Sequence, residues 1–286
     1  MQQGPTADEI IARAQQQIAT RRQAEAEQRW TGAWRWLPQA LMLAVLAAFV
    51  AAPGALPQKL LWFMGGVCGL RPTHSSFAGG LQLPIETRML GIFGGFSVTL
   101  LALLALPRWG ARQLGSMLTI VILALFFLSM VFDGVNSTAF EFNGPYLYAP
   151  TNTGRLITGL LSGIALAPFV LWLLNFIAMP KDMVAPRRVI QSPWELALPF
   201  GLNALFAGLV VSGSALVYYP VALLSVGGVV LVTSSAVLLV VISVSGLDGR
   251  VTRARQLATP GVIALLVAVI FLAGTAAARW STVGSI

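Results

Sequence analysis

Six polar side chains are candidates for chemistry because long apolar runs flank them: His74, Glu86, Arg88, Asp133, Arg155 and Thr158. A guanidinium holds a carboxylate or phosphate through two parallel hydrogen bonds, so Arg88 and Arg155 suit an anion clamp. Asp133 suits a general acid or base beside them. The plainer reading is equally good: two arginines against Glu86 and Asp133 form structural ion pairs, because charges at membrane depth pair with each other or face water. His74 follows Pro72 in a loop and could relay a proton or act as one axial ligand, since imidazole titrates near neutral pH. A lone loop histidine is more commonly only a hydrogen-bonding residue. Glu141, Tyr146 and Tyr148 fall in an aromatic stretch that could cap a vestibule, although interfacial anchoring is the commoner role.

The surrounding chain determines the class of protein. Of 286 residues, 57% are hydrophobic and 10% are charged, with a mean hydropathy of +0.79. Soluble domains carry about 25% charged residues, so a soluble enzyme and a disordered chain are both excluded. One cysteine and one histidine exclude a disulfide framework, a four-thiolate cluster and a multi-histidine metal centre. The expected fold is all-α, a polytopic transmembrane helix bundle. Seven spans are predicted, at roughly 37–53, 85–106, 114–132, 153–178, 194–217, 220–245 and 259–278. Each has about the 20 apolar residues a crossing requires. The run LLWFMGGVCGL at 60–70 is too short to cross and reads as a re-entrant or interfacial helix. Pro168, Pro199 and Pro220 are candidate helix breaks of the kind transporters use. The last three spans otherwise carry no charged path across the membrane, which argues against a proton pump or cation channel.

Basic residues indicate orientation. Arg13, Arg21, Arg22, Arg29, Arg35, Arg108, Arg112, Lys181, Arg187, Arg188, Arg250, Arg253 and Arg255 share one side under seven spans. Only Lys59, Arg71, Arg88, Arg155 and Arg279 lie on the other. The N-terminus is therefore expected in the cytoplasm and the C-terminus outside. Glu195 is expected to pair with Arg187 or Arg188. The net charge of +8 follows from this bias and from attraction to anionic headgroups, and is no sign of nucleic acid. Residues 6–30 predict a helix, with Thr6 and Glu9 at capping-box spacing, an Ile10, Ile11, Ala14 and Ile18 stripe, and a Glu25–Arg29 pair. Trp30, Trp34, Arg35 and Trp36 form an aromatic anchor. The polar arm does not read as a cleaved signal. Three regions result: a cytoplasmic amphipathic arm (1–36), a membrane region with the polar motifs (37–178), and three further spans (179–286).

Two glycine pairs bear on the site. Gly91 and Gly95 make one GxxxG spacing on the second span, and Gly159 and Gly163 make another on the fourth. Small residues at that spacing let helix backbones approach. The two helices are expected to touch, bringing Arg88 and Arg155 to one vestibule at their outer ends, with Asp133 ending the third helix beside them.

Around these residues the chain resembles a prokaryotic membrane family, domain of unknown function 2085, over about residues 60–178. Members typically read Cys-His-x-x-Pro-x-Arg-Ser, then Leu-Pro-x-Cys-x-Arg-Cys-Thr-Gly-Ile-Tyr, and later Asp-Gly and Arg-x-x-Thr-Gly. Here Cys68, Pro72, Ser75, Leu83, Pro84, Arg88, Gly91, Ile92, Asp133, Gly134, Arg155, Thr158 and Gly159 match. The resemblance implies a bacterial or archaeal inner-membrane location and carries no activity. The family's Cys-His pair and Cys-x-x-Cys would make a zinc-type ligand set. This chain keeps Cys68 but has Gly69, Glu86 and Met89 at the other three positions, so no metal and no cofactor is expected. Cys68 reads as a reduced, buried small hydrophobe.

The leading functional expectation is a binding or scaffold protein, with a lipid, a quinone-like molecule or a partner subunit in the outer vestibule. The alternatives are an accessory subunit of an energy-transducing complex, docked through the N-terminal arm, and an enzyme acting on a lipid-linked substrate. The enzyme reading is the weakest, because no clear nucleophile or motif supports it.

Overall fold

The computed structural model describes residues 36–106, 108–180 and 188–283, together with 10, 11, 13, 14, 16–18, 20 and 21. The described positions between 10 and 21 are helical, and Ile10, Ile11 and Ile18 are exposed. Thr6, Glu9, Glu25, Arg29, Trp30 and Trp34 lie outside the described residues, as does Arg187.

Eight α-helices follow among the described residues: α1 (Leu37–Ala51), α2 (Leu56–Met64), α3 (Thr87–Leu104), α4 (Met117–Glu141), α5 (Asn152–Ala178), α6 (Ala197–Ser212), α7 (Tyr218–Val244) and α8 (Ala258–Val283). Six helical segments are long and apolar enough to cross a membrane: Thr87–Leu104, Met117–Glu141, Asn152–Ala178, Pro193–Ser212, Ala215–Val244 and Ala254–Val283. The chain is thus an all-α polytopic membrane protein. The expected first span is shorter than predicted. α1 has 15 residues, about 22 Å at the helical rise, against a hydrocarbon core of about 30 Å. Pro53 follows it and Gly54 takes a left-handed φ of 99°, which stops the helix. α2, with nine residues, is too short to cross and takes in only the first part of the 60–70 run, ending at Met64.

The predicted proline breaks are absent. α5 runs unbroken through Pro168. Pro199 and Pro220 are each the third residue of α6 and α7, where a missing N–H loses no intrahelical bond. α4 runs on to Glu141 rather than ending near Asp133. Its polar residues Asp133, Asn136 and Ser137 are buried against protein, so the helix continues where the sequence reads as a loop. A small departure from the all-α expectation is a β-hairpin, β1 (Phe77–Ala78) paired with β2 (Leu81–Gln82). Gly79 and Gly80, at φ 57° and 79°, form the two-residue turn that favours glycine at both positions.

α3 is central, packed on α5, α6 and α7, while α4 flanks α5 and α8 flanks α7, α1 and α2. The glycine faces lock α3 to α5. A Cβ on Gly159 would lie 2.4 Å from the Arg88 carbonyl oxygen, and one on Gly91 would lie 2.5 Å from that of Leu156. A Cβ on Gly163 would meet the Ile92 oxygen at 2.5 Å, and one on Gly95 the Leu160 oxygen at 3.1 Å. Both GxxxG pairs therefore face each other with backbone on backbone, the close approach that small residues permit.

Hydrogen bonds define the two ends of the bundle. At one end Gly79 N donates to Gly213 O (2.8 Å), and Arg279 Nη1 donates to Gly65 O (2.7 Å). At the other, Val189 N donates to Gln113 O (2.8 Å) and Gly249 N to Ile177 O (2.9 Å). Arg108 Nη2 reaches Glu195 Oε1 there at 2.8 Å. Of the two expected partners of Glu195, Arg188 turns instead to Gln113, and Arg187 lies outside the described residues. The loops rich in arginine gather at this second end.

Candidate functional site

The polar side chains converge at the end opposite the basic loops. Three local devices place them. Thr151 caps α5 by accepting from Gly154 N at 3.1 Å. Asn152, the first residue of α5, donates to Thr73 O at 3.2 Å and ties the Pro72–His74 turn to that helix. Asn136 on α4 accepts from Leu147 N and donates to Tyr148 O, both at 2.8 Å, folding the 142–151 loop back over α4.

Asp133 lies at the base of the cluster and is 1% exposed. Arg88 Nη2 donates to its Oδ2 at 2.7 Å and Nε at 3.2 Å. The same Nη2 lies 2.7 Å from Ser137 Oγ. Tyr148 OH donates to Asp133 Oδ1 at 2.6 Å, and Thr158 Oγ1 lies 3.3 Å from Oδ2. Burial, then the bond to Asp133, pushes the Tyr148 phenol up to about 12, so it stays protonated as a donor.

Above this pair sits a second network. Arg71 spans two carboxylates: Nε to Glu86 Oε1 at 3.3 Å and Nη1 to Glu141 Oε2 at 2.9 Å. Those bonds, chiefly the one to Glu86, raise its pKa further. His74 Nε2 lies 3.3 Å from Glu141 Oε1, and Nδ1 lies 4.0 Å from Glu86 Oε2. Burial lowers the His74 pKa, and Arg155 and Arg71 lower it further against the pull of Glu141 and Glu86. Arg155 is 7% exposed. Its Nη2 lies 3.5 Å from Glu141 Oε1, and Nη1 donates to Asn152 Oδ1 at 3.3 Å. Arg71, His74, Glu86, Arg88, Glu141 and Arg155 surround a cavity of about 90 Å³.

The pairing differs from the expected one. Glu86 and Asp133 do not balance Arg88 and Arg155. Asp133 serves Arg88, Glu86 serves Arg71, and Glu141 is shared by Arg71, His74 and Arg155. Sequence reasoning missed Arg71 and Arg279 as site residues. Arg71 lies between the Cys68 and Pro72 of the recognised motif, which was its one signal. Arg279, 211 residues from Cys68, donates to the carbonyls of Gly65, Cys68 and Gly69, and nothing local announces it.

The positions of the four soft ligands in the family pattern are also visible. A Cβ on Gly69 would lie 2.9 Å from Glu86 Oε1. Met89 packs with Cys68 against one core cluster. Cys68 is partly rather than fully buried, and burial raises its pKa. Among the described residues no group of three His, Cys, Asp or Glu is placed to hold a metal ion.

Long apolar helices, a glycine-locked centre and a charged chamber at one end define a polytopic integral membrane protein. Residues 68–169 match the family model described as predicted membrane protein (DUF2085). That segment covers α3, α4, most of α5 and every residue lining the chamber. No curated protein and no solved structure matches the chain.

Proposed function

We propose that this protein is a membrane binding protein whose end chamber receives the phosphate or carboxylate of a small ligand or lipid headgroup. The observation that carries the reading is Arg155. Its guanidinium has five donors, is nine-tenths buried, lines the cavity, and makes one hydrogen bond among the described residues, to Asn152 at 3.3 Å. A buried charge is costly unless it is well paired, and Glu141 at 3.5 Å is already engaged by Arg71 and His74. Three arginines face three carboxylates around the chamber, while Arg279 adjacent to it is bound to carbonyls alone. An anion would complete this balance.

Size narrows the ligand. A cavity of about 90 Å³ is well below the ≈ 300–1,000 Å³ of drug-sized sites, so it suits the phosphate or carboxylate of a ligand rather than a whole ligand. Asp133 is occupied by Arg88, Tyr148 and Thr158, which weakens its case as a free acid or base. Docking of the N-terminal arm on a partner subunit remains the second reading, supported by the exposed Ile10, Ile11 and Ile18 stripe.

The test is thermal stability of the purified protein in detergent with added inorganic phosphate or glycerol phosphate, against chloride at matched ionic strength. A ligand that binds only the native state raises stability with its concentration. Phosphate should raise the midpoint of the wild type and not of Arg155→Gln. No phosphate effect on the wild type would overturn the proposal. The reading also places the chamber outside an inner membrane, on the strength of the basic residues gathered in the loops at the opposite end of the six long helices. In a Cys68→Ser background, a cysteine at Asn143 should be labelled by an impermeant reagent from outside, and one at Arg253 should not. The opposite pattern would move the chamber to the cytoplasmic face.

A further inference from the structure

A second cavity lies at the same end, between the C-terminus of α1, the short α2 and the end of α8. Its volume is about 720 Å³ and its lining includes Phe49, Leu61, Trp62 and Trp280, with Gln58 and Lys59 as its polar members. That is within the ≈ 300–1,000 Å³ typical of small-molecule sites. The walls are held in place. Trp280 Nε1 donates to Trp62 O at 2.9 Å, and a Cβ on Gly65 would lie 2.5 Å from the Trp280 ring. Phe49 meets Phe63 edge to face with centroids 6.4 Å apart.

Lys59 gives the groove its sign. Its Nζ donates to Val50 O at 2.8 Å and Phe49 O at 3.2 Å, closing the C-terminus of α1. An ammonium has three donors, so one is left for a ligand beside the Phe49 ring, whose centroid lies 5.9 Å from Nζ. Among the described residues, every other cation at this end of the bundle has either a carboxylate or a set of three carbonyls. Lys59 has no carboxylate partner among the described residues. Two tryptophans flank the groove, the residue type enriched at headgroup level. We infer that the α1–α2–α8 groove is a binding site for one anionic phospholipid, an acyl chain lying along Phe49, Leu61, Trp62 and Trp280 and the headgroup phosphate meeting the free N–H of Lys59. This site is separate from the Arg155 chamber and does not depend on it.

Trp62 and Trp280 act as built-in reporters. The full-length protein is reconstituted with phospholipids brominated on the acyl chain, and tryptophan quenching is followed against mole fraction. The Trp62→Phe/Trp280→Phe variant supplies the background from the other tryptophans. Brominated phosphatidylglycerol should quench at a lower mole fraction than brominated phosphatidylcholine. A basic residue near the surface contributes about 1 kcal/mol toward anionic lipid, which corresponds to about a five-fold preference. Lys59→Gln should abolish that preference and Lys59→Arg should keep it. Arg155→Gln should leave it unchanged, which separates this site from the chamber. Equal quenching by the two lipids in the wild type would overturn the inference. So would an intact preference in Lys59→Gln, or the absence of quenching because a second copy of the chain covers the groove. Should Lys59→Gln fail to fold, the comparison of the two lipids on the wild type and on Lys59→Arg decides the question.

Discussion

Replacing Arg88 with alanine tests the base of the chamber most directly. The change removes both guanidinium bonds to Asp133 Oδ2, at 2.7 and 3.2 Å. The Asp133 side chain is 2% exposed and cannot recover those bonds from bulk water. Tyr148 OH and Thr158 Oγ1 remain, so the carboxylate keeps two of its partners. Removing one partner of a buried pair costs about 3–5 kcal/mol. The low end of that range applies here, because the Arg88 side chain is 23% exposed and part of the pair is already screened. Asp133→Asn alone should cost less, since the freed guanidinium can turn toward the chamber. Arg88→Ala combined with Asp133→Asn should recover part of the single-mutant loss, because no orphaned charge remains. The assay is a double-mutant cycle on unfolding in detergent, with a coupling of at least about 1 kcal/mol expected for residues in one network. Additivity within about 0.5 kcal/mol would refute the reasoning. The Arg155–Asp133 cycle is the control. Those side chains share no hydrogen bond or ion pair, so their coupling should be smaller than that of Arg88 with Asp133.

Gly159→Ala places a methyl 2.4 Å from the Arg88 carbonyl, and overpacking of this kind costs about 1–3 kcal/mol; folded yield and thermal midpoint should both fall. Gly208→Ala meets nothing within 4 Å and should leave the midpoint unchanged or higher, so an equal loss at both positions would deny the α3–α5 lock. His74 predicts a pH dependence. Its folded-state pKa lies below the ordinary value, so the unfolded chain takes up the proton more readily. Its contribution is complete above about pH 6.5 and is lost as the pH falls through the folded-state value. Midpoints measured from neutral to acidic pH should therefore drop less steeply for His74→Asn than for the wild type, and parallel curves would remove His74 from the account.

Much of this protein is written in local pattern. A membrane class follows from apolar runs that no soluble core could hide, and the six long helices coincide with runs legible by length alone. The glycine spacings also carried information beyond one helix, because two backbones approach closely only where both faces lack side chains; Gly91 and Gly159 meet as that rule requires. What the sequence could not supply was partnership. Whether Asp133 would end a helix or lie within one depended on Arg88, 45 residues away, whose guanidinium makes a buried carboxylate tolerable in mid-helix. Pro53 with Gly54 shortens the first apolar helix below a membrane thickness, and only the packing of α1 and α2 against α8 shows the groove that this leaves. Glu195 took Arg108 over its sequence neighbour Arg188, and Arg279 reached the Cys68 turn across 211 residues. Hydrophobicity acts residue by residue and can be summed along a chain. Ion pairing depends on distance in space, and that distance is set only by how the helices pack.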